Sequence, residues 1–162
     1  MTSEFARETA VVARSTGVPV GTAAVFDATV HADWSVGNGP NGGFTAALLL
    51  RAALEHLGST GAAMHARSFT GHLVGAPQVG RCELHVTTEK QGRTAAFLGV
   101  RLVQGDALLA TASVVCVAPR PEQEQYAQRT MPVVPSPEAL GAHTEVRRDV
   151  PTYLAHYDQR FA

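Results

Sequence analysis

The sequence predicts an α+β domain in which a curved antiparallel sheet wraps around one long central helix. Over residues 44–57 the chain is apolar except at four positions, which at roughly 100° per residue fall within an arc of about 140°. These positions are Thr45, Arg51, Glu55 and His56. A helix with so wide an apolar surface needs a covering layer, and the strand-like segments that follow it can provide one.

Four β-rich segments follow the helix, at residues 64–74, 81–87, 96–104 and 108–117, with turn signals between them. The middle two alternate in polarity, so one face of the sheet is predicted to be dry. The residues of that face are Cys82, Leu84, Val86, Ala96, Leu98, Val100 and Leu102. The last segment is apolar on nearly both faces, which is typical of a central strand. With a first strand at residues 23–31, the expected order is one strand, the long helix and then four strands in a meander.

The segment in front of the first strand, residues 4–14, is predicted to form a short helix that ends before Pro19. Trp34, the single tryptophan, lies between the first strand and the long helix. We expect it to cover the core rather than to bind a ligand.

A glycine-rich turn at residues 37–43 leads directly into the long helix. Asn38 or Asn41 can cap the helix by accepting a hydrogen bond from an amide of the first turn. Gly42 and Gly43 leave those amides uncovered by side chains, so the helix start can hold a carbonyl oxygen or an anion. The alternative is a tight loop that needs glycine for positive φ angles. The sequence leaves both interpretations open.

The composition excludes several classes of function. The chain has 162 residues, a net charge of −1 and 17% charged residues, with no basic stripe for nucleic acid or for a membrane surface. Its two cysteines, Cys82 and Cys116, lie in strand patterns and predict buried free thiols in a reducing compartment. With no apolar leader and no apolar run of ~20 residues, the sequence predicts a cytoplasmic protein.

Three searches for catalytic or cofactor motifs give negative results. Gly37, Gly39 and Gly42 match the dinucleotide fingerprint G-x-G-x-x-G, but Glu55, which should end a second strand, lies inside the helix. The seven histidines show no metal-binding spacing, and there is no C-x-x-C motif. The nucleophile motif G-x-S-x-G is also absent. We therefore expect no metal, no cofactor and no serine nucleophile.

Gln104 ends the dry alternation of its strand, so an amide stands where an apolar residue would otherwise meet the helix. A buried amide must be hydrogen-bonded, and a water molecule or a ligand carbonyl would serve as its partner. The alternative is a strand-end glutamine bonded to the backbone of a turn. The sequence does not decide between the two.

From residue 119 onward, prolines interrupt the chain repeatedly and forbid a long helix or a central strand. The chain is thus divided into a domain at residues 1–118, a proline-rich linker at 119–150 and a tail at 151–162. The tail regains aromatic and apolar residues, and we expect it to be the first strand of a further unit.

Several of these segments together resemble the type II acyl-CoA thioesterases, which have the hot-dog fold. The similarity covers roughly residues 20–118 and rests on Asn-Gly-Gly-Phe-Thr-Ala-Ala-Leu-Leu-Leu, Ser-Phe-Thr-Gly-His-Leu-Val and Val-Gln-Gly-Asp-Ala-Leu-Leu-Ala. It implies a hot-dog domain that hydrolyses acyl-CoA thioesters with an activated water, without a metal. In this family two hot-dog units usually share one chain, and the second usually carries a catalytic Asp, Ser or Thr, and Gln. The present sequence is similar to the first unit, and its tail to the start of the second.

The resemblance also assigns catalytic roles. Gln104 matches the family glutamine and Ser68 the family hydroxyl, with Thr70 as the alternative, and these side chains would orient the water. Near the helix start, the place of the family carboxylate is held by Asn41 and the glycines that follow it. A distant candidate base is Asp33.

Substrate binding is expected at the helix start, where the first-turn amides at Gly42, Gly43 and Phe44 would polarise the thioester carbonyl. The first hypothesis is thus an acyl-CoA thioesterase, or the N-terminal half of one. It would assemble as a homo-oligomer of hot-dog units, because one curved sheet leaves an open edge and the acyl pocket is expected between units.

Two other functions are compatible with a hot-dog domain of this sequence. One is a non-catalytic acyl-binding or scaffolding unit that completes the site of a catalytic partner. The other is a hot-dog hydratase or dehydratase, which normally needs an Asp/His pair on the helix loop. Only His31 and Asp33 lie nearby, so this function ranks last.

Overall fold

The computed structural model describes residues 3–14, 18–120, 128–140, 151–158 and 160. The helices are α1 (Glu4–Glu8) and α2 (Gly42–Ser59), with 3₁₀ segments at Ala32–Trp34, Pro137–Ala139 and Thr152–His156. The strands, in chain order, are β1 (Val12–Ala13), β2 (Ala23–Val30), β3 (Ser35–Val36), β4 (Gly39–Pro40), β5 (His65–Leu73), β6 (Gly80–Gln91), β7 (Ala95–Gln104) and β8 (Ala107–Val117). Within these ranges, the helices lack the combination of length and apolar character that crossing a membrane requires.

Six of the strands form one antiparallel sheet in the order β1-β2-β6-β7-β8-β5. Strands β6, β7 and β8 form a meander as predicted, but β5 pairs with β8 and not with β6. The predicted meander of four strands is therefore wrong in its first strand. One edge of β6 is occupied by β2 and the other by β7. The strand that follows the helix joins the sheet at the open edge of β8, which makes β8 an interior strand as predicted.

Helix α2 lies across one face of this sheet and packs against β2, β5, β6, β7 and β8. The sheet also covers part of the polar arc of the helix, since Thr45 and His56 are each only 2% exposed. Arg51 and Glu55 lie on the side of the helix that the sheet does not cover, with Arg51 Nη1 4.0 Å from Glu55 Oε1. His56 is accommodated by a hydrogen bond between its Nε2 and Thr88 Oγ1 at 2.9 Å. The sheet therefore surrounds more of the helix than its apolar pattern alone indicates.

The dry face predicted for the sheet is confirmed, and every one of its residues is buried. The α2 residues buried with it in one core are Phe44, Leu48, Leu49, Ala52, Ala53 and Leu57. Cys82 and Cys116 are buried free thiols, as predicted. Burial raises the pKa of Cys82 to about 11 and also raises the pKa of Cys116, so both thiols stay protonated and unreactive at neutral pH.

The N-terminal segment differs from the single helix predicted over residues 4–14. Helix α1 ends after Glu8, where the Thr9 hydroxyl donates a hydrogen bond to the Phe5 carbonyl at 2.7 Å. The chain then extends into β1, which pairs with β2. A free strand edge was available there, and a helical pattern in the sequence does not reveal such an edge.

The described part of the tail forms a 3₁₀ segment at Thr152–His156 and not the predicted strand. Its backbone hydrogen bonds are local, from Leu154 N to Pro151 O at 3.1 Å and from Tyr157 N to Leu154 O at 3.2 Å. Its aromatic side chains pack on Trp34, so the tail is held without a strand partner. Within the proline-rich linker, residues 128–140 are almost entirely exposed, and residues 121–127 and 141–150 lie outside the described residues.

Candidate functional site

The start of α2 is built around Asn41. Its Oδ1 accepts a hydrogen bond from the Gly43 N–H at 2.7 Å, and its carbonyl oxygen accepts one from the Thr45 N–H at 3.1 Å. Of the two asparagines predicted as caps, Asn41 is the one that acts. Within the described part of the chain, the amides of Gly42 and Phe44 have no acceptor. The positive end of the helix therefore keeps donors for a ligand.

Glycine serves two purposes in this turn. Gly37, in the hairpin between β3 and β4, has a φ of +62°, which residues with side chains rarely adopt. Gly42 and Gly43 lie inside the helix instead. A Cβ on Gly43 would stand 2.9 Å from Asn41 Oδ1, and one on Gly42 would stand 3.1 Å from Leu73 Cδ1. The tight-loop interpretation thus holds for Gly37, whereas the other two let the cap and β5 approach the helix start.

Gln104 uses its whole amide on the backbone of the loop between β5 and β6 and of the first residues of β6. Its Oε1 accepts from the Gln78 N–H at 2.9 Å, and its Nε2 donates to Gln78 O at 2.9 Å and to Arg81 O at 3.1 Å. A bulge between Leu102 and Val103 interrupts the regular register of β7 before this residue. Of the two alternatives, the structure therefore shows a strand-end glutamine bonded to backbone.

The hydroxyls of Ser68 and Thr70 lie on the sheet face that points away from α2. Thr70 is opposite the exposed Ser113, whereas the next residue of β8, Val114, is buried against the helix. Gln104 is opposite Ala107, near the other end of β8. At about 3.3 Å per residue, Ala107 lies about 20 Å along β8 from Ser113, which is opposite Thr70. It lies about 26 Å from Val115, which is opposite Ser68. One chain does not bring Gln104 and these hydroxyls together around one water.

A cleft of about 410 Å³ lies beside the helix cap, between the β3–β4 hairpin and the loop that Gln104 holds. Its lining residues are Ser35, Gly37, Asn38, Gly39, Pro40, Pro77, Gln78 and Val79. The two walls are packed closely at their base, since a Cβ on Gly39 would stand 3.0 Å from the Ala76 Cβ. Sequence reasoning missed Gln78, because its partner Gln104 lies 26 residues away and no local pattern joins them.

An exposed apolar surface adjoins the helix start at the end of β5. Leu73 is 56% exposed and Val74 is 63% exposed, and the Leu73 side chain reaches toward Gly42. Strand β5 pairs only with β8 within the described residues, so its other edge is open. An open strand edge beside exposed apolar side chains is suited to a partner.

Phe44 is enclosed in the core at the start of α2. The whole residue is only 1% exposed, and its ring stacks on Trp34 with ring centroids 5.4 Å apart and an interplanar angle of 19°. Its side chain is therefore part of the core and does not contact a ligand. Trp34 covers the core, as predicted.

Among the residues that the structure describes, the helix start has hydrogen-bond donors but no carboxylate or histidine bonded to it. Asp33 is exposed in the segment Ala32–Trp34, and His31 packs edge-on against Phe44 with ring centroids 6.5 Å apart. The side-chain bonds at the helix start come from Asn41 and Thr45. Across the described ranges, no three His, Cys, Asp or Glu side chains are grouped so that they could hold a metal ion.

The fold places this chain among the hot-dog proteins. A protein of unknown function with the hot-dog fold from Alicyclobacillus acidocaldarius matches 96% of this chain and 53% of its own, with a TM-score of 0.77 and 22% identity. A candidate thioesterase II from Thermobifida fusca matches 95% of this chain and 52% of its own, with a TM-score of 0.74 and 20% identity. A hypothetical thioesterase from Streptococcus pneumoniae, solved with coenzyme A, matches 67% of this chain and 84% of its own, with a TM-score of 0.59 and 14% identity.

The chain belongs to the acyl-CoA thioesterase N-terminal domain family, whose profile matches residues 30–117. It spans about half the length of the Alicyclobacillus and Thermobifida structures. A comparison with the curated proteins finds no match. The predicted fold class and the predicted family resemblance are both confirmed.

Proposed function

We propose that this chain is the N-terminal hot-dog unit of an acyl-CoA thioesterase, and that it binds the thioester while a second unit supplies the catalytic base. One observation carries this proposal: the start of α2 has an amide without an acceptor beside a cleft, and among the described residues no carboxylate or histidine is bonded there. Membership of the thioesterase family supports the choice of substrate class.

In this proposal, the thioester carbonyl accepts a hydrogen bond from the Gly42 amide, which has no acceptor within the described residues. Such a donor stabilises the negative charge that develops on the oxygen when a nucleophile attacks. Asn41 acts by holding the first turn in place, and Gln104 acts by holding Gln78 in the wall of the cleft. Ser68 and Thr70 face away from this cleft, so they would serve a water only in a site shared with another unit.

Water attacks a thioester efficiently only when a base removes its proton, and a positioned base contributes about 10²- to 10⁴-fold in rate. The described residues place no such base at the helix start. We therefore expect the chain alone to bind acyl-CoA with weak or absent turnover. The open edge of β5, with Leu73 and Val74, is where a second unit would join.

A thiol-release assay with short and long acyl-CoAs, together with calorimetric binding, tests this proposal. Wild type should bind and turn over slowly. In Gln104→Ala the wall of the cleft loses three hydrogen bonds, so binding should weaken by about tenfold. The matched control is Gln91→Ala, whose Nε2 bonds to Thr60 Oγ1 away from the cleft.

Three results would count against the proposal. Fast acyl-CoA hydrolysis that Gln104→Ala does not change would show that the active site is not in this cleft. Failure of the wild-type protein to bind any acyl-CoA would contradict the proposed function, and only the assignment of the fold would remain. Binding without turnover, even after a second hot-dog unit is added, would favour the non-catalytic acyl-binding role, for which the missing base is the specific observation.

A further inference from the structure

The tail segment Pro151–Asp158 lies over the loop that leads into α2. Its 3₁₀ helix packs against Ala32–Trp34 and against β3. The Thr152 hydroxyl donates a hydrogen bond to the Ser35 carbonyl at 3.2 Å. The tail therefore touches the backbone that carries the cleft and the cap.

His156 makes the closest ring contact of this segment. Its imidazole stacks on Trp34, with ring centroids 4.1 Å apart and an interplanar angle of 10°. Trp34 also stacks on Phe44, with ring centroids 5.4 Å apart and an interplanar angle of 19°, so the indole contacts both the tail and the first turn of α2. His156 Nδ1 lies 3.1 Å from Glu4 Oε2, which ties the same ring to α1.

Trp34 is connected to the helix cap through its own backbone. Its carbonyl oxygen accepts a hydrogen bond from the Asn41 N–H at 2.7 Å, and Asn41 Oδ1 in turn accepts from Gly43. The Trp34 indole N–H also donates to Glu8, so a carboxylate holds the ring from the side. A line of contacts thus runs from His156 through Trp34 and Asn41 to the first turn of α2.

We propose that His156 is a positioning residue for the helix start: by clamping Trp34 it holds Asn41, and with it the first-turn amides, in the geometry that binds a ligand. The ligand in question rests on the proposed function, an acyl-CoA thioester. The positioning of the helix start by His156 does not depend on the proposed function, because it concerns contacts within the chain. A stacked aromatic pair contributes enough to shift such a local equilibrium by about two- to tenfold.

Hydrogen exchange of single amides, measured by NMR, tests the positioning step. In His156→Ala we expect the protection of the Gly43 amide to fall by about two- to tenfold, while the amide of Leu49 in mid-helix keeps its protection. His156→Phe keeps a stacked ring and should restore most of the protection. The matched control His72→Ala removes an exposed histidine from β5 and should leave Gly43 unchanged.

Three exchange results would overturn the inference. The first is equal protection of Gly43 in wild type and His156→Ala. The second is a uniform loss over the whole of α2, which would mean that His156 contributes only to general stability. Failure of His156→Phe to restore Gly43 would likewise show that the stacked ring is not what holds the cap.

Binding of acetyl-CoA and of free CoA separates this inference from the proposed function. If His156 positions the carbonyl-binding amide, His156→Ala should weaken acetyl-CoA binding by about two- to tenfold and free CoA binding less. Unchanged acetyl-CoA binding despite a loosened Gly43 would overturn the inference. If wild type binds neither compound, the proposed function fails, and the exchange experiment still decides the role of His156.

Discussion

His56 is a titratable side chain enclosed between α2 and the sheet. It is 2% exposed, its Nε2 bonds to Thr88 Oγ1, and its Nδ1 has no hydrogen-bond partner among the described residues. Phe26 packs edge-on against the ring, with centroids 6.5 Å apart. Burial lowers the pKa of His56, because the apolar surroundings disfavour the imidazolium.

We expect His56 to make the protein less stable as the pH falls from 7.5 to 5. The unfolded histidine has a pKa of about 6.5, above the lowered folded value, so the unfolded chain takes up more protons in this interval. The contribution of His56 is therefore complete above about pH 6.5 and is lost as the pH falls toward the folded-state pKa. The Tm of thermal unfolding, followed by circular dichroism at several pH values, measures this change of stability with pH.

In His56→Leu, this part of the pH dependence should disappear, whereas His72→Ala should retain it. The same drop of Tm with pH in wild type and His56→Leu would show that the acid sensitivity arises elsewhere.

At the scale of elements, α2 is the support for both the core and the site. Its buried side meets five strands, and its first turn carries the cap and the free amides. Any change that shifts the helix along its axis therefore moves the site as well as the core. Leu49 is the most direct probe, because its side chain is fully buried in this contact.

We predict that Leu49→Asp prevents folding, since an unpaired buried carboxylate costs at least several kcal/mol, comparable with the whole stability of a small domain. Leu49→Ala should fold but lose about 2–5 kcal/mol, because it leaves a cavity. Leu54→Asp is the matched control on the half-buried side of the same helix and should be milder. Denaturant unfolding provides the comparison, and a cooperatively melting Leu49→Asp would refute the wrapped-helix packing.

At the scale of the whole molecule, the sheet ends at β5, whose outer edge has no partner among the described residues and lies beside an apolar surface. Antiparallel sheets with such an edge are completed by a partner or protected by charge. Here the last residues of the edge are Leu73 and, just beyond it, Val74, and both are more than half exposed. This arrangement favours pairing with a second hot-dog unit.

We therefore expect the protein to sediment as a dimer or larger oligomer at micromolar concentration. Leu73→Asp should shift the distribution toward monomer by placing a charge in the interface, whereas Val133→Asp, on a fully exposed linker residue, should not. A wild-type monomer under these conditions would contradict the predicted assembly.

By itself, the sequence determined the features that depend on residues close together in the chain. The period of apolar residues identified α2, strict alternation identified the buried faces of β6 and β7, and the turn residues narrowed the helix cap to Asn38 or Asn41. The structure shows that the cap is Asn41, two positions from the amide that it caps. Even the family was accessible in this way, because its most recognisable segments are a turn, a helix start and short strands.

Only the tertiary structure decided which neighbour each of these elements meets. Periodicity shows that a face is apolar, but a strand edge presents the same donors and acceptors to any partner, so the pairing of β5 with β8 depends on which edges the other strands have filled. The same limit applies to Gln104, whose amide could have met water but meets the Gln78 backbone 26 residues away. It applies also to His56, a polar residue by its sequence that the sheet encloses, and to the two hydroxyls of β5, which the register turns away from the helix.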